Sequence, residues 1–197
     1  MSDGQNPVRF LGADIETSGS DFVDRIKTIQ IGVYDLVTGD LFRSDIGWPD
    51  GSFDMVPEAM AVTGFTQERI LGAPSAASVD NRLLQWLDEH NVKVKRGITI
   101  GFNVGIFDMP FIRRDLPLSA ERLSYRCIDL NAVCFALADS MNVSWMSVKE
   151  KAKKAARRQM TYDGSPFNHL QPHDGGYDAG EAAFAYKFLV VWMRGRP

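Results

Sequence analysis

Covalent and thiolate staples are nearly missing from this sequence. Its 197 residues include only two cysteines, Cys127 and Cys134, too few and too close for a disulfide framework or a zinc site built from thiolates. A reducing cytoplasm is the expected setting. No apolar run reaches membrane-spanning length, and the opening stretch 1–6 lacks the basic and apolar regions of a signal peptide. A soluble protein without a recognisable export signal is therefore expected, with no membrane partner. Positive charge is not in excess: the formal net charge is −3. That balance does not advertise a nucleic-acid binder, although a local basic patch and bound metal can offset acids elsewhere. Also absent are internal repeats, low-complexity tracts and any linker long enough to divide the chain. One domain over 1–197, with its core at about 8–190, is the expectation. Hydrophobic residues at 45% and charged residues at 24% exclude wholesale disorder.

What is present alternates between strand and helix signals. Residues 8–15 form an apolar run broken by Arg9 and Asp14. Residues 27–35 alternate with Ile29, Ile31 and Val33 on one face, and 41–46 follow a Val37-Thr38-Gly39-Asp40 turn. These three runs predict an antiparallel meander. Helices are expected at 57–63, 75–90 and 106–114, strands at 97–102 and 125–130, and further helix after 130. A basic helix over 145–160 and an apolar final helix over 179–193 complete the pattern. Three strands followed by helices alternating with two short strands define an α/β fold with a mixed five-stranded sheet.

Chemistry concentrates in three acidic places. Asp14 and Glu16 are two apart at the end of the first strand, so they share one face while Ile15 takes the other. Two carboxylates so placed repel each other and resist leaving water. A divalent cation removes the conflict, and hard oxygen ligands suit Mg²⁺ or Mn²⁺. Asp108 follows the Gly101–Phe107 turn near a helix N-terminus, where the macrodipole favours negative charge. His173 and Asp178 precede the last helix, with His173 on a loop that Gly175 and Gly176 are expected to make mobile and Asp178 at or just before the first turn. Each place has an ordinary structural reading, as a solvated edge, a first-turn acid or an N-cap. Together, four carboxylates and a histidine base make a coherent site for phosphodiester hydrolysis assisted by two cations.

Taken in register, these motifs resemble the DEDDh (DnaQ-like) 3′→5′ exonucleases. Asp14-Ile15-Glu16-Thr17 is similar to the family's Asp-x-Glu-Thr motif, Asn103 to Asp108 to its second motif ending in Phe-Asp, and His173 with Asp178 to its third. Weaker echoes are the stretch 56–66, where many members carry a Gly-Ile-Thr turn, and Cys127-Ile128-Asp129-Leu130, which resembles a strand ending in Ile-Asp-Thr. The resemblance implies a ribonuclease H-like fold of five strands flanked by helices. It implies Asp14, Glu16, Asp108 and Asp178 as ligands of two Mg²⁺ or Mn²⁺ ions, and His173 as general base. Thr17 would help hold the terminal nucleotide. Phe65 would either wedge against a base, where stacking is typically worth about 1–3 kcal/mol, or pack in the core. The chain departs from the pattern in having Phe102-Asn103 where many members have His-Asn, and in one extra residue before the Phe-Asp pair. Asn103, which either caps the helix or approaches a ligand, is the substrate contact that these departures bear on, more than they bear on Asp108. The segment 160–172 carries no family motif and is read as a loop beside the site.

Lys149, Lys151, Lys153, Lys154, Arg157 and Arg158 crowd ten positions that hold one acid, Glu150. On a helix, Lys149, Lys153 and Arg157 line one side, while Ala152, Ala155 and Ala156 face inward. This side is read as a phosphate track or as a solvated face, with Arg113 and Arg114 as a second candidate contact. The expected activity is metal-dependent hydrolysis from the 3′ end of nucleic acid, single-stranded DNA favoured, releasing nucleoside monophosphates. An RNA-trimming exoribonuclease and a catalytically silent nucleic-acid-binding adaptor are the alternatives. A polymerase or homodimer partner stays open.

Overall fold

A computed structural model describes residues 8–162 and 165–195. The stretch 1–6 and the pair Asp163-Gly164 within the 160–172 segment lie outside the described residues. Strands β1 (Arg9–Thr17), β2 (Thr28–Asp35), β3 (Leu41–Asp45), β4 (Gly97–Gly101) and β5 (Leu123–Asp129) form one sheet in the order β3-β2-β1-β4-β5. The first three are an antiparallel meander, in which Ile15 faces Ile31 and Val33 faces Phe42. β4 and β5 add in parallel, Leu11 opposite Thr99 and Ile100 opposite Ile128. The expected mixed sheet is the one observed. Its central strand is β1.

Helices α1 (Pro57–Thr63), α2 (Gln67–Gly72), α3 (Ala76–Glu89), α4 (Asp108–Asp115), α5 (Pro117–Ala120), α6 (Leu130–Met141), α7 (Trp145–Met160) and α8 (Gly175–Arg194) cover the sheet. Alternation along β1 decides which layer meets which side chain. Leu11 and Ile15 join Val79, Leu83 and Leu87 of α3 and Phe111 and Ile112 of α4 in one core. Gly12 faces α8 on the other side, where Ile100, Leu130, Ala152, Ala156, Ala182 and Leu189 make a second core. Fully burying each Leu or Ile contributes about 1.5–3 kcal/mol, so both faces are firmly covered. Asp14 and Glu16 continue the Gly12 face past the point where apolar cover ends.

Helix α8 begins four residues earlier than its apolar pattern suggested, and this corrects the reading of Gly175 and Gly176 as a mobile loop. Both glycines are buried and helical. A Cβ on Gly32 of β2 would sit 2.0 Å from the Gly175 carbonyl oxygen, and one on Gly12 2.1 Å from that of Ala179. The glycines serve close approach of helix to sheet, not freedom of the chain. Asp174 caps the helix by accepting from the Gly176 N–H at 3.0 Å. Two short helices were not expected: α2, capped by Thr66, and α5, opened by Pro117. Neither has length for a periodic signal. Strand β5 begins two residues sooner than the apolar run implied, and helix α7 occupies the expected span.

Candidate active site

The acids converge at the end of β1. Asp14, Glu16, Asp108, Asp178 and His173 line one cleft of about 330 Å³, together with Phe102, Asn103 and Phe107. Asp108 comes from the first turn of α4 and is buried. Its Oδ1 accepts from the Ile15 N–H at 3.0 Å, which pins α4 to β1 between the two strand carboxylates. Asp178 lies in the first turn of α8, and its Oδ2 accepts from the His173 N–H at 2.9 Å. His173 is exposed at φ 64°, a left-handed conformation that the acid one turn along holds in place. Its neighbour Asp174 is gripped by the Arg43 guanidinium on β3, with Nε 2.8 Å from Oδ1, while Gln30 of β2 accepts from the Gly175 N–H at 2.6 Å. Two strands thus carry the histidine loop.

Every one of the four carboxyls is pushed toward its neutral form. Burial, then the charges of Asp108, Asp178 and Glu16, raise Asp14 well above the usual range against the opposing pull of Lys153. Glu16 is raised to about 8 by burial and by Asp178, Asp174 and Asp108. Asp108 is raised to about 7, chiefly by burial, with the Ile15 N–H working the other way. Burial and Glu181 raise Asp178, partly offset by the His173 N–H and Lys153. Like charges held together in a largely buried pocket do this, and the one lysine beside them offsets it only in part. The donor set therefore fits a hard divalent cation: carboxylate oxygens on rigid elements, with ligand atoms of Glu16, His173 and Asp178 within 4.8 Å of one another.

The expected substrate contacts fare unevenly. Asn103 borders the cleft, at φ 66°, and its Oδ1 accepts from Asn131 Nδ2 at 2.6 Å. Thr17 is buried and its hydroxyl donates to the Gly19 carbonyl at 2.6 Å, so that hydrogen is spent on the turn after β1. Of the two readings of Phe65, the core one matches its packing: it is buried against Ile29, Phe53 and Ile70, with the Arg69 guanidinium 3.6 Å above the ring. Arg114 is likewise structural, paired with Asp115 at 2.7 Å and donating to the Val23 and Ile26 carbonyls. Arg113 is exposed beside a different groove, with Lys95 and Tyr125.

Lys149, Lys153 and Arg157 do line one side of α7, but that side looks into the cleft. Lys153 Nζ is 2.7 Å from Glu181 Oε2, and Arg157 Nε is 2.6 Å from Glu181 Oε1. Lys149 and Lys153 both stand over the Phe102 ring, at 4.9 and 5.0 Å. Glu181, almost fully buried, and Phe102 join Asp14, Lys153, His173 and Asp178 in a pocket continuous with the acidic cleft. Glu181 was not singled out from sequence, and Phe102 was noted only as a departure from the family's second motif. Glu181 lies three residues after Asp178, one helical turn further into an apolar helix, and a lone acid there was the available signal.

No family model matches the chain, and no curated protein matches it by sequence. Solved structures do resemble it. Exonuclease I of E. coli, in a zinc-bound complex with single-stranded DNA, superposes with a TM-score of 0.63 at 17% identity, over 96% of this chain and 41% of that one. The cell-death related nuclease CRN-4 gives 0.62 at 16% identity, over 95% and 65%. A 3′-exonuclease bound to a histone mRNA stem-loop gives 0.57 at 15%, over 96% and 65%. The chain spans less than two thirds of each. The fold is ribonuclease H-like, a mixed five-stranded sheet flanked by helices, and is the one these nucleases share.

Proposed function

We propose that this protein is a metal-dependent 3′→5′ exonuclease of the DEDDh type, cleaving nucleotides one at a time from the 3′ end of nucleic acid, single-stranded DNA by preference. The observation that carries this reading is the meeting of Asp14, Glu16, Asp108, Asp178 and His173 in one cleft from three distant parts of the chain. The four acids would hold two Mg²⁺ or Mn²⁺ ions, which when bound supply positive charge to the attacking and departing oxygens of an in-line phosphoryl displacement.

The chain's own residues do the rest. His173, exposed at the cleft mouth and fixed by its backbone, takes the proton of the attacking water. The water oxygen bonds to phosphorus as the bond to the 3′-oxygen of the preceding nucleotide breaks, and a nucleoside 5′-monophosphate leaves. Lys153, oriented by Glu181, holds positive charge toward the phosphate. Phe102, beneath Lys149 and Lys153, presents an apolar surface suited to a base or sugar. Free thiols at Cys127 and Cys134 fit a cytoplasmic setting. Among the described residues no helix is long and apolar enough to cross a membrane.

Matched DNA and RNA oligonucleotides, labelled at either end and incubated with Mg²⁺, Mn²⁺ or EDTA, test the proposal. A 5′-label should yield a ladder that shortens with time, a 3′-label immediate mononucleotide, and EDTA neither. Faster loss of the RNA strand would move the reading to an exoribonuclease. No product with any strand or metal would leave a silent binding protein of the same fold.

A further inference from the structure

Helix α7 carries a second basic row that the cleft does not use. Its buried stripe is Val148, Ala152, Ala156 and Met160, and the row Lys149, Lys153 and Arg157 beside that stripe turns into the cleft. Lys151, Lys154 and Arg158 fall on the opposite side, at i, i+3 and i+7. None of these three forms an ion pair among the described residues. Lys151 lies 4.4 Å from the centre of the Trp192 ring. The three cations border an open groove of about 820 Å³, lined otherwise by Glu150, Arg157 and Thr161. An acidic protein, of net charge −3, therefore keeps a run of unneutralised cations on one helix face.

Arg157 connects this groove to the catalytic pocket. It lines both, with its Nε held by buried Glu181 on the cleft side. A strand that left the acidic cleft past Lys153 on this side would meet Arg157 next and the outer row after it. Cations spaced along a helix and left unpaired suit a polyanion with regularly repeated charge. We propose that the outer face of α7 binds the phosphates of single-stranded nucleic acid several nucleotides before the scissile bond, giving the enzyme a preference for long strands over short ones. As a source of strand-length preference this rests on the exonuclease reading; as a binding surface it stands apart from it.

The triple variant Lys151→Ala/Lys154→Ala/Arg158→Ala tests the surface, alanine being the best helix former at exposed positions. Turnover of a dinucleotide and of a 20-mer with Mg²⁺ gives the length preference. The expected result is at least a tenfold fall in the ratio of kcat/KM on the 20-mer to that on the dinucleotide, through KM. Fluorescence anisotropy of the labelled 20-mer in EDTA reads binding without cleavage. Each phosphate contact to a single strand contributes about 0.7 to the slope of log K against log salt, so three lost contacts should flatten it by about 2. An unchanged slope overturns the proposal, as does an equal loss on both substrates. If the wild type cleaves nothing, the exonuclease reading fails and the anisotropy slope alone decides whether the groove binds nucleic acid. Glu150→Gln, which removes the one acid lining the groove, should tighten 20-mer binding; weaker binding would count against the track.

Discussion

His173 gives its N–H to Asp178 and sits at φ 64°, so backbone geometry holds the imidazole at the cleft whatever its own ring contacts. His173→Ala should therefore leave the loop in place and remove the proposed base. Turnover is expected to drop by about 10²–10⁴-fold, while Mg²⁺ affinity, measured by calorimetry, stays within a few-fold. Asp108 behaves differently because its carboxylate also accepts from the buried Ile15 N–H. Asp108→Ala should lose metal binding, activity and stability together, the unsatisfied amide alone costing about 1–3 kcal/mol. Asp108→Asn keeps an acceptor, so its urea midpoint should lie close to wild type while activity is lost. Full activity in either variant with Mg²⁺ would rule out this site.

The junction of α8 with β1 and β2 sets the distance between the strand acids and the helix acid. It depends on glycine at Gly12 and Gly32, where the helix backbone fills the space of a side chain. Gly32→Ala should push the start of α8, and with it Asp178 and His173, off the sheet. Overpacking of this kind costs about 1–3 kcal/mol, read as a lower urea midpoint, and activity should fall further than stability does. A variant with wild-type stability and turnover would show that the junction tolerates a Cβ. Glycine at these two strand positions and at 175–176 could be seen in sequence. Its purpose could not, because close approach involves residues over 140 positions apart.

Over the whole molecule, the raised carboxyls tie stability to pH. Glu16, raised to about 8, and Asp108, raised to about 7, bind protons more tightly in the folded chain than in the unfolded one, where carboxyls titrate near 4. Between those values the folded state holds the extra protons, so stability falls as pH rises from about 4 to about 8. The carboxyls lowered by ion pairs, such as Asp45 with Arg69, act in the opposite sense and below that window. In EDTA the urea midpoint should therefore decline from pH 5 to pH 8. With Mg²⁺ at 100 times its pH 7 Kd the fold should gain about 2.7 kcal/mol at that pH, and at the same Mg²⁺ concentration the gain should grow with pH as the acids ionise and Kd falls. A flat profile in EDTA would mean that the four acids do not crowd one another.

Local pattern determined a great deal about this chain. Strand alternation put Asp14 and Glu16 on one face, the span of α7 followed from its periodicity, and the order of strands and helices implied the mixed sheet. Those features depend on neighbours a few residues apart, which any stretch of sequence displays. Tertiary structure alone decided that the inner row of α7 faces the acids, that Glu181 is the anchor between Lys153 and Arg157, that Phe65 packs on Ile29 and Ile70, and that Arg114 pairs with Asp115. Each of those outcomes depends on which surface a distant element buries. Burial and charge pairing are settled between elements, and a single linear pattern carries no record of the partner.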